Sequence, residues 1–303
     1  MMQNREKKII FTVPESFDGV MLKSFLKNHC HVSARLLAAL KNKENGLTSR
    51  GERLWAIDRV EAGQVITLAL PLEKNTVEPV SLPLQILYED VHLLLLNKPP
   101  GMPVHPTSCG HTSDTLANAC SAHMRQKGES YKIRLLNRLD KDTSGLVLVA
   151  KDAFCAYALA RQVEKTYLAV AQGVLCGSAT IDSCIRIKPG HTIQRETAPD
   201  GRHAVTHYTA LAHEQNHTLL ALRLETGRTH QIRVHMASIG HPLAGDSLYG
   251  GNLTYIGRQA LHCNSMAFVH PVTQQMHRFV SPVPRDMQFI AFSAYNQEKE
   301  NLR

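Results

Sequence analysis

The segment from residue 135 to residue 150 constrains the fold more than any other. Leu135 and Leu136 are followed by nine residues that include Arg138, Asp140, Lys141 and Asp142, and then by the unbroken apolar run Leu146, Val147, Leu148, Val149 and Ala150. The run reads as a buried strand. Charges placed between two apolar stretches are costly to bury, so they either turn outward or have a task. Asp140 lies between Arg138 and Lys141, which favour its ionised form and keep a carboxylate available as nucleophile or base. By composition alone, Lys-Asp-Thr-Ser-Gly at 141–145 is also ordinary turn chemistry.

Elsewhere strands and helices alternate without a βαβ rhythm. Leu22, Phe25 and Leu26, then Leu36, Leu37 and Leu40, have helical spacing and predict two short helices, the second stopped by Gly46. Val65, Ile66, Leu68 and Leu70 after Gly63 predict a turn and a strand ending at Pro71. Residues 73–83, with Pro79 and Pro83, read as a linker, which places a boundary near residue 78. Beyond it, a strand is expected over 86–97, a helix over 113–127 and a strand over 146–150. A helix capped by Asp152 should run to Arg161, and a strand should follow over 165–174. Residues 205–212 and 218–225 form an expected antiparallel pair. A helix marked by Ile232, Met236 and Ile239, with Thr229 as its cap, ends at Gly240 and Pro242. The class is α+β around a largely antiparallel sheet. No phosphate-binding or dinucleotide-binding glycine loop is present, and no internal repeat.

The chain carries 34 Lys and Arg against 26 Asp and Glu, and residues 1–75 hold twelve of the basic residues against eight acids. The denser positive charge at the front suits a polyanion held through phosphate contacts, and equally a solvated basic face. No apolar stretch approaches the roughly 20 residues of a membrane span, and residues 1–13 do not read as a secretory signal. A cytoplasmic location is expected. The seven cysteines have no C-x-x-C pair and read as reduced, mostly buried thiols. The 17 histidines include no H-E-x-x-H, so no metal site is expected.

Two further clusters could carry chemistry. Glu-Thr-Gly-Arg-Thr-His-Gln-Ile-Arg-Val-His-Met at 225–236 sets Arg233 early on a helix, where a guanidinium could pair with a carboxylate or grip a phosphate. Lys165, Thr166 and Tyr167 put a phenol on a strand, able to stack on a base or move a proton, although a strand tyrosine is commonly core.

Taken in order, Asn-Arg-Leu-Asp-Lys-Asp-Thr-Ser-Gly at 137–145, Lys-Thr-Tyr-Leu-Ala at 165–169 and Thr-Gly-Arg-Thr-His-Gln-Ile-Arg-Val-His-Met at 226–236 resemble the three motifs of the RluA/RluD type of RNA pseudouridine synthase. Residues 97–106, 240–249 and 258–262 add supporting matches, and the similarity spans about 84–285. Asn137 stands where that family often has His. The front piece resembles, more loosely, the small α-L type RNA-binding domain of a ribosomal protein.

The resemblance implies a mainly antiparallel mixed β-sheet flanked by helices and loops, over residues 79–303, preceded by a small α/β RNA-binding-like domain and linker over 1–78. It implies isomerisation of uridine to pseudouridine in RNA with no cofactor and no metal. Asp140 would be the essential catalytic residue, Arg233 its partner, and Tyr167 the residue that stacks on uracil and takes part in proton removal. Arg138 would steady the space vacated by a flipped-out base. Lys98, Lys165 and Arg228 would supply phosphate or packing contacts. The implied partner is RNA, ribosomal first and transfer RNA second, with no membrane, no obligate protein partner and monomeric action. A non-catalytic RNA-binding or ribosome-assembly protein descended from such an enzyme is the alternative, and a histidine-dependent ribonuclease using His230 and His235 is a third.

Overall fold

The computed structural model describes residues 6–106 and 112–289; Cys109 lies outside them. Two sheets organise the chain. The first contains β1 (Lys8–Thr12), β2 (Leu47–Ser49), β3 (Glu52–Arg53) and β4 (Val65–Ala69) in the order β1-β4-β2-β3. α1 (Leu22–Asn28) and α2 (Ala34–Lys41) bury Leu22, Phe25, Leu26, Leu36, Leu37 and Leu40 in a core with Ile9, Ile66 and Leu68. Both helices form where the apolar spacing predicts them, but α2 ends at Asn42, whose amide donates to Ala38 O, well before Gly46. β1 escapes a reading by periodicity because only Ile9 of its five residues is buried.

The second sheet has ten strands. β5 (Gln85–Glu89), β6 (Leu93–Lys98), β7 (Arg134–Leu135), β8 (Ser144–Ala150), β9 (Glu164–Gln172) and β10 (Ser178–Asp182) come first along the chain. A separate hairpin of β11 (Ile185–Ile187) and β12 (Arg195–Thr197) intervenes before β13 (Val205–Glu214), β14 (His217–Leu224), β15 (Leu261–Val269) and β16 (Met276–Val280). The main path runs β10-β13-β14-β9-β15-β8-β6-β5, with β16 on β15 and β7 on β8. The β8–β15 pair is parallel, and the other neighbours on this path are antiparallel. The sheet is therefore mixed but mainly antiparallel, in line with the expected class. All seven residues of β8 are buried, which explains its unbroken apolar run: it is a central strand covered on both faces.

Residues 86–97 are not one strand. The Asp90 carboxylate accepts the amides of His92 at 2.7 Å and Leu93 at 2.6 Å, closing a turn that splits the segment into the β5–β6 hairpin. α3 (Leu116–Gln126) begins at a Thr115 capping box, and α4 (Ala153–Leu159) is capped by Asp152 as predicted. The expected linker is docked along its path. Asn75 Nδ2 donates to Ser121 Oγ at 2.7 Å, Ser121 Oγ to Val77 O at 2.8 Å, and Asn118 Nδ2 to Glu78 O at 2.9 Å, all tying it to α3. Phe11 of β1 meets Phe154 of α4 edge to face at 5.8 Å, so the front sheet packs on the helix that follows β8. No helix among the described residues is long and apolar enough to cross a membrane.

Candidate active site

The turn from 137 to 145 is held from beneath through its backbone. Asn137 Oδ1 accepts the Leu148 amide and its Nδ2 donates to Leu146 O, both at 3.0 Å, so the residue that stands in place of the commoner His pins the turn to β8. Three consecutive carbonyls are then taken. Asp140 O accepts from the Thr143 amide at 3.1 Å, Lys141 O from Lys98 Nζ at 2.9 Å, and Asp142 O from Arg258 Nη1 at 3.0 Å. Arg258 is itself gripped by both oxygens of Asp286, and Gln259 Nε2 donates to Thr143 Oγ1. Gly145 has φ +116°, and a Cβ there would lie 2.3 Å from Cys263 O, so only glycine lets the turn enter β8 beside β15. A loop fixed this way presents the Asp140 side chain, a quarter exposed, in one direction.

Arg233 meets that side chain from the other wall. α5 (Gln231–Ser238) starts at His230, whose left-handed backbone (φ +57°) makes the turn into the helix. Thr229 does not cap it. Instead, Gln231 Oε1 accepts the Arg228 amide and the Thr226 hydroxyl, and Gln231 Nε2 donates to Val205 O and Thr206 Oγ1, stitching the helix start to β13. His235 faces the same way, with Nδ1 on Thr206 Oγ1 and Nε2 on Ser183 O, so it is a packing group turned away from His230.

From this fixed helix Arg233 Nη1 reaches Asp140 Oδ2 at 3.1 Å, while its Nε and Nη2 bind the two oxygens of Asp246 at 2.7 and 2.8 Å. Asp246 is 1% exposed and the Arg233 side chain 8%, so the arginine is oriented by a buried, bidentate partner and offers its remaining edge to Asp140. Burial works against the guanidinium's charge, but hydrogen bonding and the charges of Asp246 and Asp140 prevail and raise its pKa further. The Tyr249 ring packs against it, 5.0 Å from guanidinium carbon to centroid. Tyr249 Oη accepts the Arg195 amide at 2.9 Å and lies 2.9 Å from His230 Nδ1, and His230 Nε2 is 3.9 Å from Asp140 Oδ2. Burial lowers the His230 pKa, with Asp140 opposing, so the imidazole beside the carboxylate is neutral near pH 7.

Tyr167 forms part of the same open cleft, of about 360 Å³, together with Arg138, Asp140, Arg228, His230 and Arg233. It stands on β9 directly opposite Cys263 of β15. Burial, with Cys263 and Asp140 adding to it, holds the phenol well above its ordinary pKa, so it enters any reaction protonated. The cleft therefore combines a carboxylate clamped by arginine, a buried aromatic wall and, in Arg138 and Arg228, two exposed cations at its rim.

Five of the seven expected site residues meet here, and two do not. Lys98 is fully buried, and its Nζ donates to Pro99 O, Met102 O and Lys141 O at 2.8, 2.8 and 2.9 Å. It braces the Asp140 turn and has no surface with which to meet a phosphate. Burial drives its pKa down to about 7. Lys165 is half-buried on β9 outside the cleft lining, and burial lowers its pKa as well. Asp246, Tyr249 and Arg258 carry no individual signal in the sequence, although they lie within the matched stretches 240–249 and 258–262. One possible metal-ligand trio occurs among the described residues, His92, Asp152 and Cys155. Within it His92 Nδ1 lies 2.8 Å from Asp152 Oδ2, Asp152 Oδ1 accepts the Cys155 amide, and Lys7 Nζ lies 3.9 Å from Asp152.

A family model for RNA pseudouridylate synthase matches residues 92–238. The "Uncharacterized RNA pseudouridine synthase YjbO" of Bacillus subtilis (strain 168) is 41% identical over 266 residues, covering 84% of this chain and 93% of that protein. The "Ribosomal large subunit pseudouridine synthase D" of Xylella fastidiosa (strain Temecula1 / ATCC 700964) is 39% identical over 304 residues, covering 91% and 89%. Among solved structures, Human RNA Pseudouridylate Synthase Domain Containing 1 aligns with a TM-score of 0.54 and 25% identity over 68% of this chain and 86% of that one.

Proposed function

The chain belongs to the RNA pseudouridylate synthase family and is an enzyme that isomerises uridine to pseudouridine, and on that premise we propose that its substrate is a specific uridine of large-subunit ribosomal RNA, attacked by Asp140. The observation that carries this reading is the Asp140 carboxylate clamped at 3.1 Å by an arginine that is itself fixed on Asp246, with Tyr167 lining the same cleft. The substrate assignment leans on the relatives whose names specify the ribosomal large subunit.

A base inside a stacked helix cannot reach this cleft, so the nucleotide is flipped out at a cost of about a few kcal/mol. Asp140 then acts on the ribose, either as nucleophile at the anomeric carbon or as a base that yields a glycal. The bond from ribose to the uracil nitrogen breaks, the base turns, a bond to ring carbon 5 forms, and the hydrogen on that carbon leaves as a proton. Arg233 keeps the carboxylate ionised and aimed. Tyr167 packs on the uracil and, entering as a neutral phenol, passes its own proton to water as it takes the one from ring carbon 5, and Arg138 steadies the space left in the RNA. Residues 1–78 act as a small RNA-binding-like domain, and the protein works as a monomer without a cofactor or protein partner.

Site-resolved pseudouridine mapping by carbodiimide-blocked primer extension tests this. Total RNA is compared from cells with and without the gene, complemented by wild type or Asp140→Asn. One or a few large-subunit uridines should lose modification and be restored by wild type alone. Restoration by Asp140→Asn would remove the carboxylate from the mechanism, and a lost site in transfer RNA would reassign the substrate.

A further inference from the structure

Beside the Asp140 cleft lies a larger one of about 960 Å³, formed where the β11–β12 hairpin faces the loop before α5. Arg138 and Arg228 line both clefts, which makes them continuous. Arg195 and Arg202 line the larger one only. Among the described residues, none of these four arginines has an ion-pair partner. Like charges converging on one concavity repel, and the arrangement is offset when an anion sits among them.

The local structure fixes these cations in place. Gly201 lies so close to Ile185 that a Cβ would come within 2.6 Å of its backbone, and this approach lets residues 185 and 202 exchange both backbone hydrogen bonds, at 2.9 and 2.8 Å. Arg202 is thereby fixed beside β11. Arg228 Nε is tied to His203 O at 3.0 Å. Arg195 is anchored through its amide on Tyr249 Oη, yet its Nη1 is buried with no hydrogen-bond partner in the protein. A buried guanidinium N–H without an acceptor is destabilising, and a turn of this half-buried side chain toward an anion in the cleft would relieve it. Arg186, by contrast, is consumed by Glu196 and Asp200 and serves to hold the hairpin shape.

We propose that Arg138, Arg195, Arg202 and Arg228 form a subsite for a backbone phosphodiester of the RNA strand that delivers the target nucleotide, so that the hairpin grips the strand beside the base it presents to Asp140. The proposal rests on the reading of the Asp140 cleft as the catalytic one. Arginine suits the role because its planar fork meets two phosphate oxygens at once, and a phosphate contact positions a strand without reading its sequence.

The test is equilibrium binding of the full-length protein to a fluorescein-labelled large-subunit ribosomal RNA transcript between about 50 and 200 mM salt, with product formation measured alongside. Arg202→Ala, at an exposed position, should weaken binding about tenfold, as expected for removing one charged hydrogen bond. Arg195→Ala/Arg202→Ala should weaken it further and flatten the plot of log affinity against log salt by about 0.7 for each phosphate no longer neutralised. Both variants should raise KM more than they lower kcat. Arg161→Ala removes the same charge outside both clefts and should leave the slope alone. Asp140→Asn should abolish turnover with the slope intact, which separates failure of the subsite from failure of the catalytic reading. An unchanged slope in the double variant, an equal change in Arg161→Ala, or salt-independent RNA binding by wild type would each overturn the proposal.

Discussion

Asp246→Asn is the sharpest perturbation of the site because it leaves the Asp140 side chain untouched and removes what orients its partner. Two of the three hydrogen bonds from Arg233 to carboxylates go to Asp246, at 2.7 and 2.8 Å, and the pair is almost wholly inside the protein. Replacing one carboxylate oxygen by an NH2 group sets donor against donor and leaves the guanidinium with a single anion, Asp140, at 3.1 Å and a quarter exposed. Breaking a buried ion pair costs about 3–5 kcal/mol. The remaining bond to Asp140 puts this case at the lower end, about 3 kcal/mol, which for a chain of this size lowers Tm by about 5 °C. The catalytic loss has a separate origin. Once released from Asp246, the guanidinium turns toward Asp140 and draws the carboxylate out of line, and a displacement of about 1 Å costs on the order of 100-fold in rate. Urea or thermal unfolding measures the first effect, and single-turnover conversion of a substrate RNA below the melting range measures the second. Asp246→Glu, which restores the charge on a longer arm, should recover stability more than rate. A destabilised Asp246→Asn protein with wild-type kcat would refute the aiming role of Arg233, and a protein as stable as wild type would refute the energetics of the buried pair.

Tyr167→Phe keeps the aromatic wall and loses the hydroxyl, so single-turnover conversion should fall about 100-fold or more while stability changes by about 1 kcal/mol or less; unchanged turnover would reduce Tyr167 to packing. Lys98→Met leaves the carbonyls of Pro99, Met102 and Lys141 without their donor, and denaturant unfolding should show a loss of about 2–3 kcal/mol together with a slower reaction from the loosened Asp140 turn. Burial pushes the His262 imidazole down to about 4, so it stays neutral in the folded chain while the unfolded chain takes up a proton below its ordinary value near 6.5. This stabilising contribution is complete above pH 6.5 and is lost as the pH falls toward 4, by about 3 kcal/mol in all; His262→Gln should flatten the stability profile across that window, and an unaltered profile would refute the assignment.

Local signals account for α1, α4, β8 and the β13–β14 pair: apolar spacing, a capping aspartate and an unbroken apolar run each lie within a few residues of what they specify. The β5–β6 hairpin reads as one strand in the sequence because its reversal depends on what the Asp90 side chain bonds to, with no glycine or proline between the two apolar stretches to mark it. Thr229 reads as the cap of α5, yet His230 takes the left-handed conformation and Gln231 reaches sideways to β13, an arrangement that depends on a strand more than twenty residues away. Arg138, Asp140, Tyr167, Arg228 and Arg233 are legible through the wording and order of three motifs, and they share the cleft. Lys98 is legible as a residue of interest but not as a brace, since nothing local says whether a lysine beside two prolines faces water or three carbonyls.

By itself the sequence determined the class of fold, several of the helices and central strands and the residue types brought to the site, because apolar periodicity, turn chemistry and the three motifs are written in short stretches of chain. Only the tertiary structure decided which charges face one another. Arg233 is divided between Asp140 and Asp246 because β8, α5 and the 240–249 loop converge there, and ninety-three residues separate Arg233 from the carboxylate it holds. Ion pairing depends on distance and burial in space, neither of which a linear spacing encodes. The same reason leaves the arginine cleft of the β11–β12 hairpin invisible in the chain: its four cations come from three separate segments and acquire a common direction only when the protein is folded.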